Sequence, residues 1–339
     1  MNEANNALAV PEQLVPPPQS LSGEARAYLA QAAERLDGAQ AKDAATSAEA
    51  TDALVASAGA ATEFLRAQCA HFEGCVATLD LPGTAKLHRV TPGGRAGRNA
   101  EVALLDIHGG GFVTGGDDMC LYLAQIRAME YGVEVFSVDY RLLPEHPFPA
   151  ALEDCTSAYA VVLSAYDAGD IVVSGASAGG NLAAAMLLKA QDDRVAMPAG
   201  LVLATPLLDL SMSGDSWLTN RFLDVNLRGA TKVLSTYASE ADPTDRYISP
   251  LYGSFGPEWP TTLLTTGTRD LLLSDTVRMH RSLRRAGVDA QLHVAEASPH
   301  GGFMGGGAPE DAEIMDECRA FVSAAWRLGG DRGAGQGTD

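Results

Sequence analysis

The chain has 339 residues, carries 24 Lys and Arg against 43 Asp and Glu for a formal net charge of -19, and is 46% hydrophobic. Such acidity disfavours nucleic acid and anionic membranes as partners, because binding either depends on clustered cations that displace counterions. No apolar run reaches the ~18 to 20 residues that span a bilayer, and the N-terminus lacks a basic and apolar leader, so a cytoplasmic protein is expected. Five scattered cysteines (Cys69, Cys75, Cys120, Cys155, Cys318) are odd in number and read as free, mostly buried thiols. Cys69, His71 and Cys75 lack the spacing of a zinc site, so no metal is expected.

Residues 1 to about 20 hold Pro11, Pro16, Pro17 and Pro18 and read as an arm. From Leu21 to about Arg66 the chain is rich in Ala, Glu, Gln and Leu, which predicts two or more helices with breaks near Gly38 and Gly59. Short apolar runs at 85–90, 102–107, 133–138, 170–175, 200–205, 261–267 and 290–295 have the length and composition of strands. Helical segments are expected between most of them, at about 117–130, 149–166, 178–191 and 274–286, with a last one at about 309–327. This alternation predicts an α/β fold, a mostly parallel sheet with helices on both faces and its chemistry at the carboxyl ends of the strands. From about Leu207 to Tyr247 there is no strand signal. The segment carries large side chains, reads as short helices and is too long for an ordinary loop, which suggests an inserted cap. After Leu328 the Gly-rich GGDRGAGQGTD is expected to be disordered.

Chemistry concentrates at four places. Gly175-Ala-Ser-Ala-Gly179 sits between an expected strand and an expected helix, where glycines permit a sharp turn that lifts the Ser177 hydroxyl above the sheet as a nucleophile. His108-Gly-Gly-Gly-Phe112 directly follows another strand. Acyl transfer needs N–H groups aimed at a developing oxyanion, and Gly109, Gly110 and Ala178 are the expected donors, with His108 holding the loop. A serine nucleophile needs a base and the base needs a carboxylate. Of the histidines that follow Ser177, His280 falls mid-helix and His293 within a strand, whereas His300 lies in the Gly-rich loop after the last strand and is the expected base. Asp270 directly follows the strand at 261–267 and is preferred as the acid over Asp275, which helix-end electrostatics also explains.

These motifs in this order resemble the hormone-sensitive-lipase-like, bacterial family IV, carboxylesterases of the α/β-hydrolase fold. The resemblance covers about residues 65 to 327 and rests on HGGGF at 108–112, the run DYRLLPEHPFPAALED from Asp139 to Asp154, SAGGNLA from Ser177, and the segment from Asp270 to RRAGV at 284–288. It implies the triad Ser177, Asp270 and His300, the oxyanion donors Gly109, Gly110 and Ala178, and a cap built from the N-terminal helices and the insert. The expected organisation is therefore an N-terminal arm and cap helices over 1–65, core over 66–206, cap insert over 207–247, core over 248–328 and tail over 329–339. The chain departs from the family pattern at Ala176, where Asp or Thr is usual, at Ser274 in place of a second Asp, and in HGGF rather than HGF at His300.

The expected activity is hydrolysis of small, short-to-medium acyl esters through an acyl-enzyme, without a cofactor. Phe112, Trp217, Phe222 and Leu223 are the expected pocket-lining residues. A lactonase or deacetylase would use the same triad, and a non-catalytic receptor of the same fold would be expected to lack one of its members. A homodimer is expected by analogy with the family alone. The acidity itself is assigned to solubility and salt tolerance rather than substrate choice.

Overall fold

The seven apolar runs and one exposed edge strand pair into one eight-stranded sheet, with almost fully buried runs at its centre. In this computed structural model, residues 14–37, 47–94, 97–227, 231–234 and 236–334 are described. The strands are β1 (Gly74–Asp80), β2 (Lys86–Pro92), β3 (Ala103–Ile107), β4 (Glu134–Asp139), β5 (Ile171–Ala176), β6 (Gly200–Ala204), β7 (Thr261–Gly267) and β8 (Ala290–Ala295). Their spatial order is β1-β2-β4-β3-β5-β6-β7-β8. β2 runs antiparallel to β1 and β4, and the other pairings are parallel.

Successive side chains along the central strands point to opposite faces, so each strand feeds two cores. Leu105, Val173, Leu203 and Leu264 join one apolar cluster. Their neighbours Leu104, Val172, Val202 and Leu263 join the other. Helices α4 (Ala150–Leu163), α5 (Ala178–Asp192) and α8 (Leu273–Arg285) contribute to the first cluster; α3 (Asp118–Tyr131) and α9 (Pro309–Ala334) cover the second. Doubly covered parallel strands are why these runs read as continuously apolar.

Three local expectations are corrected. β1 is an added strand: all seven of its residues are exposed, so no apolar alternation marks it, and it is recruited by the ladder it forms with β2. α1 (Gly23–Asp37) and α2 (Ser47–Gln68) form where helices were expected, but α2 runs straight through Gly59. One interior glycine costs only about 1 kcal/mol, and α2 is held by packing on α3 and on α7 (Thr231–Leu234). The expected break at Gly38 lies outside the described residues. At the other end α9 continues to Ala334, so residues 329–334 are helical rather than disordered, and 335–339 lie outside the described residues.

Among its described residues the insert after β6 forms two short helices, α6 (Ser216–Thr219) and α7. Buried Asp275 anchors its start by accepting the N–H groups of Leu208 and Asp209 and the indole N–H of Trp217. Burial pushes the Asp275 carboxyl up to about 7 despite these donors. Cys69, Cys120, Cys155 and Cys318 are buried free thiols and Cys75 is an exposed one. Cys69 leans on the Tyr122 carbonyl while Cys75 sits on β1.

Candidate active site

Four connecting segments meet beyond the carboxyl ends of β3, β5, β7 and β8. The turn from β5 into α5 holds Ser177 at φ 55°, a left-handed conformation costly for a residue with a Cβ. Its glycines are a steric requirement. A Cβ on Gly179 would lie 2.0 Å from the Ile107 carbonyl oxygen, so β3 can approach the head of α5 only with glycine there. Ala178 is the first residue of α5, and a helix leaves its first N–H groups without intrahelical partners.

The loop after β3 lies against this turn. Gly110 adopts φ 111° and a Cβ there would meet the Thr114 carbonyl oxygen at 2.1 Å. Among the described residues, neither Gly109 nor Gly110 donates its N–H to a backbone carbonyl. His108 braces the loop: Nδ1–H donates to the Gly109 carbonyl at 2.7 Å, the ring stacks on Tyr140, and the Tyr140 hydroxyl donates to the His108 carbonyl. Burial lowers the His108 pKa to about 4, so the ring is neutral. The run from Asp139 to Asp154 supports the same loop: the Leu143 N–H bonds the Phe112 carbonyl, and Arg141 is clamped to buried Asp154 through its backbone and guanidinium.

His300 Nε2 lies 2.9 Å from Ser177 Oγ, and its Nδ1 lies 3.1 Å from Asp270 Oδ1. Asp270 is fixed by the Thr266 hydroxyl on Oδ2 and the Leu272 N–H on Oδ1. A carboxylate facing Nδ1 selects the tautomer protonated there, which leaves the Nε2 lone pair for the serine hydroxyl. Burial alone would lower the His300 pKa; the charge and hydrogen bond of Asp270, with the charge of Asp224, outweigh it and hold the pKa above its ordinary value of 6.5. The remaining candidates are engaged elsewhere, His280 with the Ala290 carbonyl and His293 facing Glu317. The histidine loop continues to Phe303, whose N–H bonds Asp311 of α9 and whose ring packs against Tyr28 of α1.

The expected pocket residues divide. Phe112 is 1% exposed and stacked on Tyr237, and Trp217 is 5% exposed and bonded to Asp275; both rings are occupied by packing and present almost no surface to a ligand. Leu223 is half-buried and Phe222 is 59% exposed beneath the Arg221 guanidinium. The sequence reading missed a set of insert side chains that hold the other loops. Asn220 donates to the Thr268 and Asp270 carbonyls, Asn226 to those of His300 and Gly302, and Ser216 pairs reciprocally with Ser274. Ser274 thus makes a specific tie to the insert after β6 at the place where the family's second Asp would stand. Asp224 is buried among these contacts.

A family model described as alpha/beta hydrolase fold matches residues 104–304, and this sheet order with its strand-to-helix serine turn makes the protein an α/β hydrolase. An esterase from Acinetobacter venetianus is 31% identical over 59% of this chain and 66% of its own length. An ethyl acetate hydrolase from Pseudomonas putida is 33% identical over 63% of this chain and 70% of its own. Among solved structures, an esterase E25 superposes with a TM-score of 0.82 at 30% identity, covering 94% of this chain and 98% of that one. A hormone-sensitive lipase from a metagenome library gives 0.69 at 30% identity, covering 83% and 99%. The chain belongs to the hormone-sensitive-lipase-like carboxylesterases of the α/β-hydrolase fold. Among the described residues no helix is long and apolar enough to cross a membrane.

Proposed function

We propose that the protein hydrolyses small carboxylic esters of short-to-medium acyl chains, with Ser177 as nucleophile, His300 as general base and Asp270 as its acid. The observation that carries this reading is the unbroken hydrogen-bond chain from Ser177 Oγ through the imidazole to Asp270, beside two loop glycines that, among the described residues, donate to no backbone carbonyl. Neutral His300 takes the Ser177 proton as Oγ attacks the ester carbonyl, and the N–H groups of Gly109, Gly110 and Ala178 stabilise the oxyanion. The imidazolium then protonates the leaving alkoxide. Water, activated by the same base, releases the acid. No step calls on a metal or organic cofactor. Names of relatives such as the ethyl acetate hydrolase support small acyl groups. We further propose Phe222 and Leu223, with the insert over 207–247, as the substrate-facing wall.

Ser177→Ala is expected to lower kcat on an activated acetyl or butyryl ester by about 10⁴-fold or more, and a serine-directed organophosphonate should label Ser177 alone. Normal hydrolysis by that variant would sink the reading. A panel of esters, lactones and acylated sugars separates ester hydrolysis from lactonase or deacetylase chemistry. Because the base must be neutral and its pKa is raised, kcat/KM should fall as pH drops, with the acid limb above 6.5.

A further inference from the structure

We propose that Asp224, carried by the insert between β6 and β7, is a second positioning carboxylate for His300, sharing with Asp270 the fixing of the ring and the neutralisation of its charge during turnover. This rests on the triad reading above. Asp224 is 0% exposed, and its carboxylate ties together the two loops that bring the acid and the base. One oxygen accepts the Leu271 N–H at 2.7 Å, one residue beyond Asp270. The other accepts the N–H groups of Asn226 at 2.9 Å, Leu227 at 3.0 Å and His300 itself at 3.4 Å. A carboxylate oxygen of Asp224, one of Asp270 and a ring nitrogen of His300 all lie within 4.8 Å of one another.

Two buried carboxylates this close repel each other, and tying loops together does not by itself require the second charge. The arrangement is favourable when a cation stands between them, and the imidazolium formed during acyl transfer is that cation. The charged and titratable groups facing the ring are Asp270 from the loop after β7 and Asp224 from the insert, with the Ser177 hydroxyl from the head of α5. Every oxygen of both carboxylates already accepts N–H or O–H donors, a lining suited to fixed anions rather than to metal coordination.

Asp224→Asn keeps the shape and removes the charge. The expected result is a folded enzyme whose acid limb in kcat/KM moves down by about one pH unit, with kcat above the limb reduced about tenfold. A purely structural role would lower the melting temperature and kcat but leave the limb in place, and that outcome overturns the proposal. Should Asp224→Asn fail to fold, Asp270→Asn decides through the His300 ring titration followed by nitrogen-15 NMR. With Asp224 still charged, the imidazole pKa should stay at or above its ordinary value, and a fall of more than about two units overturns the proposal. Ser177→Ala run alongside keeps the two ideas apart. If Ser177→Ala is inactive and the limb in Asp224→Asn is unmoved, this inference alone has failed; if Ser177→Ala retains activity, the triad reading has failed with it.

Discussion

The two halves of the site are held by different means. The Ser177 half, with Gly109–Gly110, is made of backbone: the end of β3 and the head of α5 lie so close that a Cβ added at Gly179 collides with a carbonyl. The Asp270–His300 half is made of side chains. Asp270 and His300 sit on loops after β7 and β8, and Asn220, Asp224 and Asn226 of the insert fasten those loops from outside the sheet. A backbone-built half has no adjustable parts and should respond to substitution in an all-or-none way. A side-chain-built half should lose function by degrees as its ties are removed.

Gly179→Ala is the severest test of that contrast. Its Cβ would meet the carbonyl oxygens of Ile107 at 2.0 Å and His108 at 2.4 Å, both main-chain atoms of a central strand end that cannot move independently. The expected loss exceeds about 4 kcal/mol, seen as failure to accumulate folded enzyme or a collapse of the melting temperature. A variant that folds within about 1 kcal/mol of the parent would show that the Ser177 turn is adjustable after all, and the comparison would fall.

Asn226→Ala probes the other half at lower cost. It removes donors to the His300 and Gly302 carbonyls and the acceptor for the Tyr28 hydroxyl, which links α1 to the histidine loop. The expected effects are about 1–3 kcal/mol of stability and a loss in kcat of about tenfold, with the protein still folded. Thermal unfolding and steady-state kinetics on one ester check both together. A loss in kcat as large as that of Ser177→Ala would mean that the histidine loop has no graded response.

The same division explains what the sequence makes legible. Glycines required by close backbone approach sit beside the strands they serve, so Gly175–Gly179 and His108–Phe112 stand out as local motifs, and Asp270 and His300 stand out by following strands. The ties of the insert span 47 residues from Asp224 to Leu271 and 74 from Asn226 to His300, and no local pattern marks such a pair. Asp224 reads in the sequence as one more acidic residue in an acidic chain. β1 was invisible for a related reason, because an all-exposed edge strand is specified by its partner β2 rather than by its own side chains. Phe112 and Trp217 misled because a large ring near a site suggests a pocket wall, whereas the nearest apolar surface for each was Tyr237 or the core beside Asp275.

Phe222→Ala gives the smallest expected effect and sharpens the comparison at its outer rim. The ring is 59% exposed and contributes little to packing, so stability should change by less than about 0.5 kcal/mol. If the insert forms the substrate wall in addition to fastening the acid–base loops, removing the ring should raise KM for a hexanoyl ester about fivefold through lost apolar contact. The KM for an acetyl ester, too short to need that contact, should stay within a factor of two or so of the parent. With kcat unchanged for both, the loss belongs to binding and the wall is separable from the fastening role. Equal KM values for both esters in the variant and the parent would confine the insert to holding Asp270 and His300 in place, and substrate selection would then have to come from elsewhere around the glycine loop, where Leu234 of α7 and Leu54 of α2 approach Gly111.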